Sequence, residues 1–198
     1  MLIDTDHLHY WMMAIRESND PHRTLDAFWK GQLTSKEWLI NHLRPYVLQN
    51  ASVDIHGGWV GTLASMLFQS HCPIKNIRSI DIDPACEPVA TMMNKQEEMK
   101  GRFRAVTSDM CSIRSDADIV INTSCEHITQ DQYDIWLSGI PFNSLIVLQS
   151  NNYDIPEHIR TATSLEEFEH QSDIKVIWAG ELKLPLYTRY MIIGKQHV

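Results

Sequence analysis

The sequence predicts an α/β fold in which a mostly parallel sheet is covered by helices on both faces, closed by an antiparallel hairpin and preceded by a helical extension. Three observations carry this expectation. From about residue 51, short apolar runs alternate with segments of helical spacing, the rhythm of strand–helix–strand crossovers in a three-layer arrangement. The last two strand-like runs lie only a few residues apart, too close for a parallel crossover. The first 50 residues carry helical spacing and no strand pattern.

Taken in order, residues 1–50 form the extension, which sits where a lid would. TLDAFWKGQL and TSKEWLINHLRPYVL repeat apolar residues at helical spacing, with Gly31 between them and Thr34 or Ser35 capping ahead of Glu37. The main domain, residues 51–198, opens with SVDIH as a strand and GTLASMLFQS as a helix. IRSIDI is the next strand. PACEPVATMMNKQEEM then reads as one helix, started by Pro84 and holding Pro88 in its first turn, where a missing N–H is tolerated. RFRAV and the apolar ADIVINT are strands, TQDQYDIWLSG a helix, NSLIVLQS a buried strand and SLEEFEHQ a short helix. IKVIWAGEL and YTRYMIIGK, with Pro185 in the connection, must pair antiparallel.

Length and charge narrow the function classes. At 198 residues and 43% hydrophobic, the chain suffices for one full core plus an extension. Seventeen Lys and Arg against 25 Asp and Glu leave a net charge of −8, which disfavours a broad nucleic-acid footprint. The start, MLIDTDHLHYWMM, is acidic where a secretion signal is basic, and nothing approaches the roughly 20 apolar residues of a membrane span. A cytoplasmic protein is therefore expected. Cys72, Cys86, Cys111 and Cys125 form no C-x-x-C pair and are expected to be reduced thiols. His7 and His9, near Asp4 and Asp6, lie at a terminus that does not preset ligand geometry, so no metal site is expected.

The first strand runs into His56-Gly57-Gly58-Trp59-Val60-Gly61, which keeps the second and third glycines of a G-x-G-x-x-G loop and replaces the first by His56. Such a turn lets backbone approach a ligand at the carboxyl end of a parallel strand. Three acids strengthen that reading. Asp81 closes the second strand, the position from which a carboxylate accepts ribose hydroxyls. Asp109 follows the third strand, where it accepts from an adenine amine. Asp54 precedes the glycines, and a carboxylate there suits a ligand with a free ammonium group.

Through VDIHGGWVG, IRSIDIDPACEPVA, FRAVTSDM, ADIVINTSCEHI and the closing strands, the sequence resembles the class I S-adenosylmethionine-dependent methyltransferases. The resemblance implies a seven-stranded Rossmann-like sheet and S-adenosyl-L-methionine as cofactor. It makes Asp54, His56, Gly57, Gly58, Trp59 and Gly61 the methionine-side loop, Asp81 with Ile82 the ribose position, and Asp109 with Met110 the adenine position. It departs from the usual D-x-G-x-G-x-G at His56 and Val60. His56 reads more readily as a packing or loop-bonding residue than as a catalytic one.

Methyl transfer needs alignment more than catalytic side chains. Candidates to face an acceptor follow the fourth and fifth strands: Asn122, Ser124, Glu126 and His127, then Asn151, Asn152 and Tyr153. His127 suits a proton acceptor near neutrality; Asn122 and Glu126 are the other catalytic candidates, and Asn122 also borders the cofactor. A Cys125–His127 nucleophile pair is rejected for want of an orienting group and of positive surroundings. In the extension, Trp29 and Lys36, with Arg23, Lys30 and Trp38 nearby, are placed to cover the pocket, although tryptophans there serve equally to dock helices. The expected function is methyl transfer to a small or modest-sized acceptor. The alternatives are aminocarboxypropyl transfer of the nicotianamine synthase type on the same fold, and a noncatalytic cofactor-binding module.

Overall fold

The computed structural model describes residues 4–197. Seven strands form one sheet: β1 (Ala51–His56), β2 (Ile74–Asp81), β3 (Phe103–Thr107), β4 (Ile119–Asn122), β5 (Leu145–Asn151), β6 (Lys175–Lys183) and β7 (Thr188–Lys195), in the order β3-β2-β1-β4-β5-β7-β6. The pairs among β1 to β5 are parallel, while β7 runs antiparallel between β5 and β6. The expected sheet and closing hairpin are thus present.

Helices α1 (Thr5–Glu17), α2 (Pro21–Asp26) and α3 (Lys30–Leu43) precede the sheet. Those between and after the strands are α4 (Thr62–Gln69), α5 (Cys86–Met93), α6 (Lys95–Met99), α7 (Gln130–Ser138) and α8 (Leu165–Ser172). Strand alternation sorts the core onto two faces. Ile119, Ile121, Val147 and Ile193 pack with Leu39, Leu43, Leu63 and Leu67 of α3 and α4. Their neighbours Val120, Ile146, Leu148 and Ile192 pack with Tyr133, Trp136 and Phe168 of α7 and α8. Burying each such side chain stabilises the fold by roughly 1.5–3 kcal/mol. A third cluster, Ala14, Ala27, Val60, Val89 and Met93, fastens the N-terminal helices to α5.

Helix boundaries differ from expectation in the extension. Gly31, Thr34 and Ser35 lie inside α3 rather than at a break, and the break falls at Ala27–Trp29. Trp29 occupies the N-cap without a side-chain cap bond, and Gly31 sits where the chain approaches the Tyr187 hydroxyl and Leu184. Tertiary contact there outweighs the weak local stop signal of one glycine. The long second helix divides into α5 and α6 at Asn94, whose buried side-chain amide donates to the carbonyls of Ala90 and Gly61, both at 3.0 Å. Pro84 lies ahead of α5, and Pro88 falls in its first turn. Among the described residues no helix is long and apolar enough to cross a membrane.

Candidate cofactor and acceptor site

β1 and β4 are adjacent, and the chain leaves them toward opposite halves of the sheet, so a crevice opens beyond their carboxyl ends. The turn after β1 is shaped by crowding. Gly57 has φ of +64°, and a Cβ there would lie 2.6 Å from Ser124 Oγ; a Cβ on Gly58 would lie 2.0 Å from Ser79 Oγ. Trp59 also adopts positive φ, +48°. The Gly58 N–H donates to the Ile80 carbonyl at 2.9 Å, and the Trp59 N–H donates to Asp81 Oδ2 at 2.8 Å. The other Asp81 oxygen accepts from the Asp83 N–H at 3.0 Å. The ends of β1 and β2 are therefore locked together by one carboxylate.

A cavity of about 570 Å³ occupies this crevice. Gly57, Gly58 and Trp59 form its floor, and Asp81, Ile82, Asp109 and Met110 line one end. Lys36 of α3, Glu126 and His127 after β4, Gln149 of β5 and Arg189 of β7 also line it, together with Ser124. Residues expected at both the nucleoside and acceptor positions thus share one chamber.

Several other expected residues are directed elsewhere. Asp54 does not line the cavity: Arg78, its register partner on β2, donates to it from Nε at 2.9 Å, and the Ser115 hydroxyl donates at 2.6 Å. That carboxylate is committed to a cross-strand ion pair. His56 is buried edge-to-face against Trp136, with both ring nitrogens lacking a hydrogen-bond partner, and burial pulls its pKa down to about 4. Gly61, at φ of +77°, allows α5 to approach, since a Cβ there would meet Asn94 and Ala90. Asn122 is buried and accepts from the Ser124 N–H at 2.9 Å, supporting the turn without lining the chamber.

The polar run after β5 has a similar outcome. Asn151 lies behind the wall and donates to Glu126 Oε1 at 2.6 Å, while its side-chain Oδ1 accepts from the Tyr153 N–H at 2.8 Å. Asn152 accepts from the Thr188 N–H, and Tyr153 packs against Tyr187. Trp29, 68% exposed, donates to Asp26 and stands clear of the cavity. Asp83 accepts from the Ala85 N–H ahead of α5 and forms an ion pair with Arg23 of α2, which ties the extension to the cavity rim.

Arg189, Gln149 and Gln32 line the chamber without having been singled out in the sequence. The available signal for Arg189 was a lone guanidinium in the apolar run YTRYMIIGK. It is 7% exposed, donates to the Thr123 carbonyl at 3.2 Å and lies 3.4 Å from Glu126 Oε1. Lys36 is buried, donates to Gln32 Oε1 at 2.8 Å, and is pulled down to about pH 7 by burial and then by the charge of Arg189. Arg189 Nε and Glu126 Oε2 are both buried without a protein partner. Burial pushes the Cys125 thiol up to about 12, which keeps it protonated near neutrality and removes it as a nucleophile.

No protein-family profile and no curated protein sequence matches the chain. Solved structures do match in shape. Mitomycin 7-O-methyltransferase MmcR superposes with a TM-score of 0.67 at 14% identity, covering 93% of this chain and 60% of that one. Magnesium protoporphyrin IX methyltransferase (ChlM) from Synechocystis PCC 6803, with bound SAH, gives 0.67 at 13% identity, covering 96% and 94%. MtNAS in complex with MTA and tNA gives 0.64 at 12% identity, covering 98% and 71%. At such identities the likeness establishes the fold alone, which this chain shares with the methyltransferases MmcR and ChlM and with MtNAS.

Proposed function

We propose that the chain is an S-adenosylmethionine-dependent methyltransferase whose acceptor is a small molecule bearing an anionic group. The observation that carries this reading is the convergence of Asp81, Asp109 and the Gly57–Gly58 turn on one cavity at the sheet's switch point. The donor set suits an adenosine: a strand-end carboxylate for the ribose diol, an acid for the adenine amine, and a pair of glycines that lets backbone approach the ligand. S-adenosylmethionine, when bound, supplies an electrophilic methyl group on a sulfonium. Lys36 and Arg189 offer positive charge to the acceptor's anion, with Gln32 and Gln149 beside them. His127 lines the same wall, beside the acceptor's place. Asp54, committed to Arg78, has no part in holding the cofactor's ammonium.

Aminocarboxypropyl transfer is the second reading, favoured by the match to MtNAS solved with MTA over 98% of the chain. Incubation with cofactor and a panel of small carboxylates separates the two by product. Adenosylhomocysteine with a methyl group on a hydroxyl or amine of the carboxylate acceptor is expected; methylthioadenosine supports the second reading. Failure of S-adenosylmethionine to bind at all removes both. A net charge of −8 argues for a small-molecule partner over nucleic acid, and a cytoplasmic setting is part of the same proposal.

A further inference from the structure

We infer that Glu126, His127 and His158 form a binding site for a borderline divalent transition-metal ion such as Zn²⁺ on the acceptor wall of the cavity. Their ligand atoms all lie within 4.8 Å of one another, the one such group of three among the described residues. Two imidazoles and one carboxylate are a donor set for this class of ion, with coordination positions left open.

The histidines are prepared for it. His127 Nδ1 lies 3.0 Å from the Glu157 carbonyl, and His158 Nδ1 lies 2.7 Å from the Tyr153 carbonyl. A carbonyl only accepts, so each Nδ1 carries the proton and each Nε2 carries a lone pair. This is the arrangement in which backbone carbonyls orient metal-ligating imidazoles. The rings meet edge to face with centroids 4.8 Å apart. The Glu126 carbonyl accepts from the Ile159 and Arg160 N–H groups at 2.9 and 3.1 Å, which ties the His158 loop to the Glu126 turn.

Glu126 provides the independent observation. It is 2% exposed; Oε1 accepts from Asn151 and faces Arg189, whereas Oε2 has no partner. An unsatisfied buried carboxylate oxygen is costly, and a cation bound beside it would satisfy it. Aromatic packing of the two histidines leaves that oxygen unexplained. Because Glu126 and His127 line the cavity, the ion would contact an acceptor there and lower the pKa of a hydroxyl bound to it. That role rests on the methyltransferase reading; the site itself does not.

The test uses the full chain, stripped with EDTA and dialysed against Zn²⁺, with Co²⁺ as a spectroscopic probe. One equivalent of Zn²⁺ per chain is expected, together with visible Co²⁺ absorption from mixed nitrogen and oxygen ligation. His127→Ala and His158→Ala should each weaken binding at least about tenfold, with folding checked by circular dichroism. A His7→Ala/His9→Ala variant should retain both the stoichiometry and the spectrum. Absence of bound metal, or binding that survives both His127→Ala and His158→Ala, overturns the site. S-adenosylmethionine affinity is measured separately: metal binding without cofactor binding upholds this inference and sinks the proposed function, and cofactor binding without metal does the reverse.

Discussion

The backbone N–H of Trp59 donates to Oδ2 of Asp81 at 2.8 Å, although the two residues are 22 positions apart. The carboxylate thus holds the glycine turn while it faces the cavity. Asp81→Ala should weaken S-adenosylmethionine binding tenfold or more, about 1.4 kcal/mol per decade, and should also cost about 1–3 kcal/mol of stability through two backbone donors left without their acceptor. Asp83→Ala removes the Ala85 N–H acceptor and the exposed Arg23 ion pair, should cost about 1 kcal/mol, and should weaken cofactor binding less than Asp81→Ala does. Calorimetric titration with parallel urea melts reads both quantities. Equal affinity losses in the two variants would put the ribose on the wrong residue.

Gly57 and Gly101 make a matched pair, with φ of +64° and +69°. A Cβ on Gly101 meets nothing within 4 Å, whereas one on Gly57 would lie 2.9 Å from Ser124 Cβ. Gly101→Ala should cost the left-handed penalty alone, about 1–2 kcal/mol. Gly57→Ala should cost more and lose cofactor affinity as well. If both variants melt alike and bind alike, the turn is not the cavity floor described above.

Lys36 is charged with difficulty. Its folded pKa of about 7 lies below its ordinary value near 10.5, so between these limits the unfolded chain holds more protons than the folded one. Stability attributable to Lys36 therefore rises with pH across that window and is flat below it. Lys36→Met should stabilise the protein at neutral pH by roughly 1–4 kcal/mol, flatten the alkaline rise, and reduce capture of an anionic acceptor. Chemical denaturation from pH 6.5 to 10 measures the slope. A destabilised variant with an unchanged slope would contradict the burial of this ammonium.

His56 gives the acid counterpart. Burial lowers its pKa from 6.5 to about 4, so the unfolded state gains a proton first as pH falls. The stability contributed above pH 6.5 is lost progressively down to about pH 4, by up to about 3 kcal/mol at 1.36 kcal/mol per unit. His56→Gln should remove that part of the acid limb. Urea midpoints at pH 7 and pH 4.5 test it, and identical acid losses in parent and variant would mean that His56 is not buried neutral.

Alternation of apolar runs, the short connection before β7, the glycine pair and the strand-end acids Asp81 and Asp109 were all legible in the sequence. Each is set by neighbours within a few residues, or by the rule that parallel strands present their carboxyl ends to a ligand. Direction and convergence were not legible. Asp54 and Ile55 are consecutive on β1, yet only Ile55 lines the cavity; Asp54 faces Arg78, a partner that exists only once β1 and β2 are in register. Lys36, Glu126 and Arg189 come from α3, the turn after β4 and β7, and His158 joins Glu126 and His127 from the loop beyond β5. No local period relates such positions. Their charges meet because β7 inserts between β5 and β6 and α3 packs over the sheet, and it is burial in that shared space that lowers Lys36 and leaves Glu126 Oε2 without a protein partner.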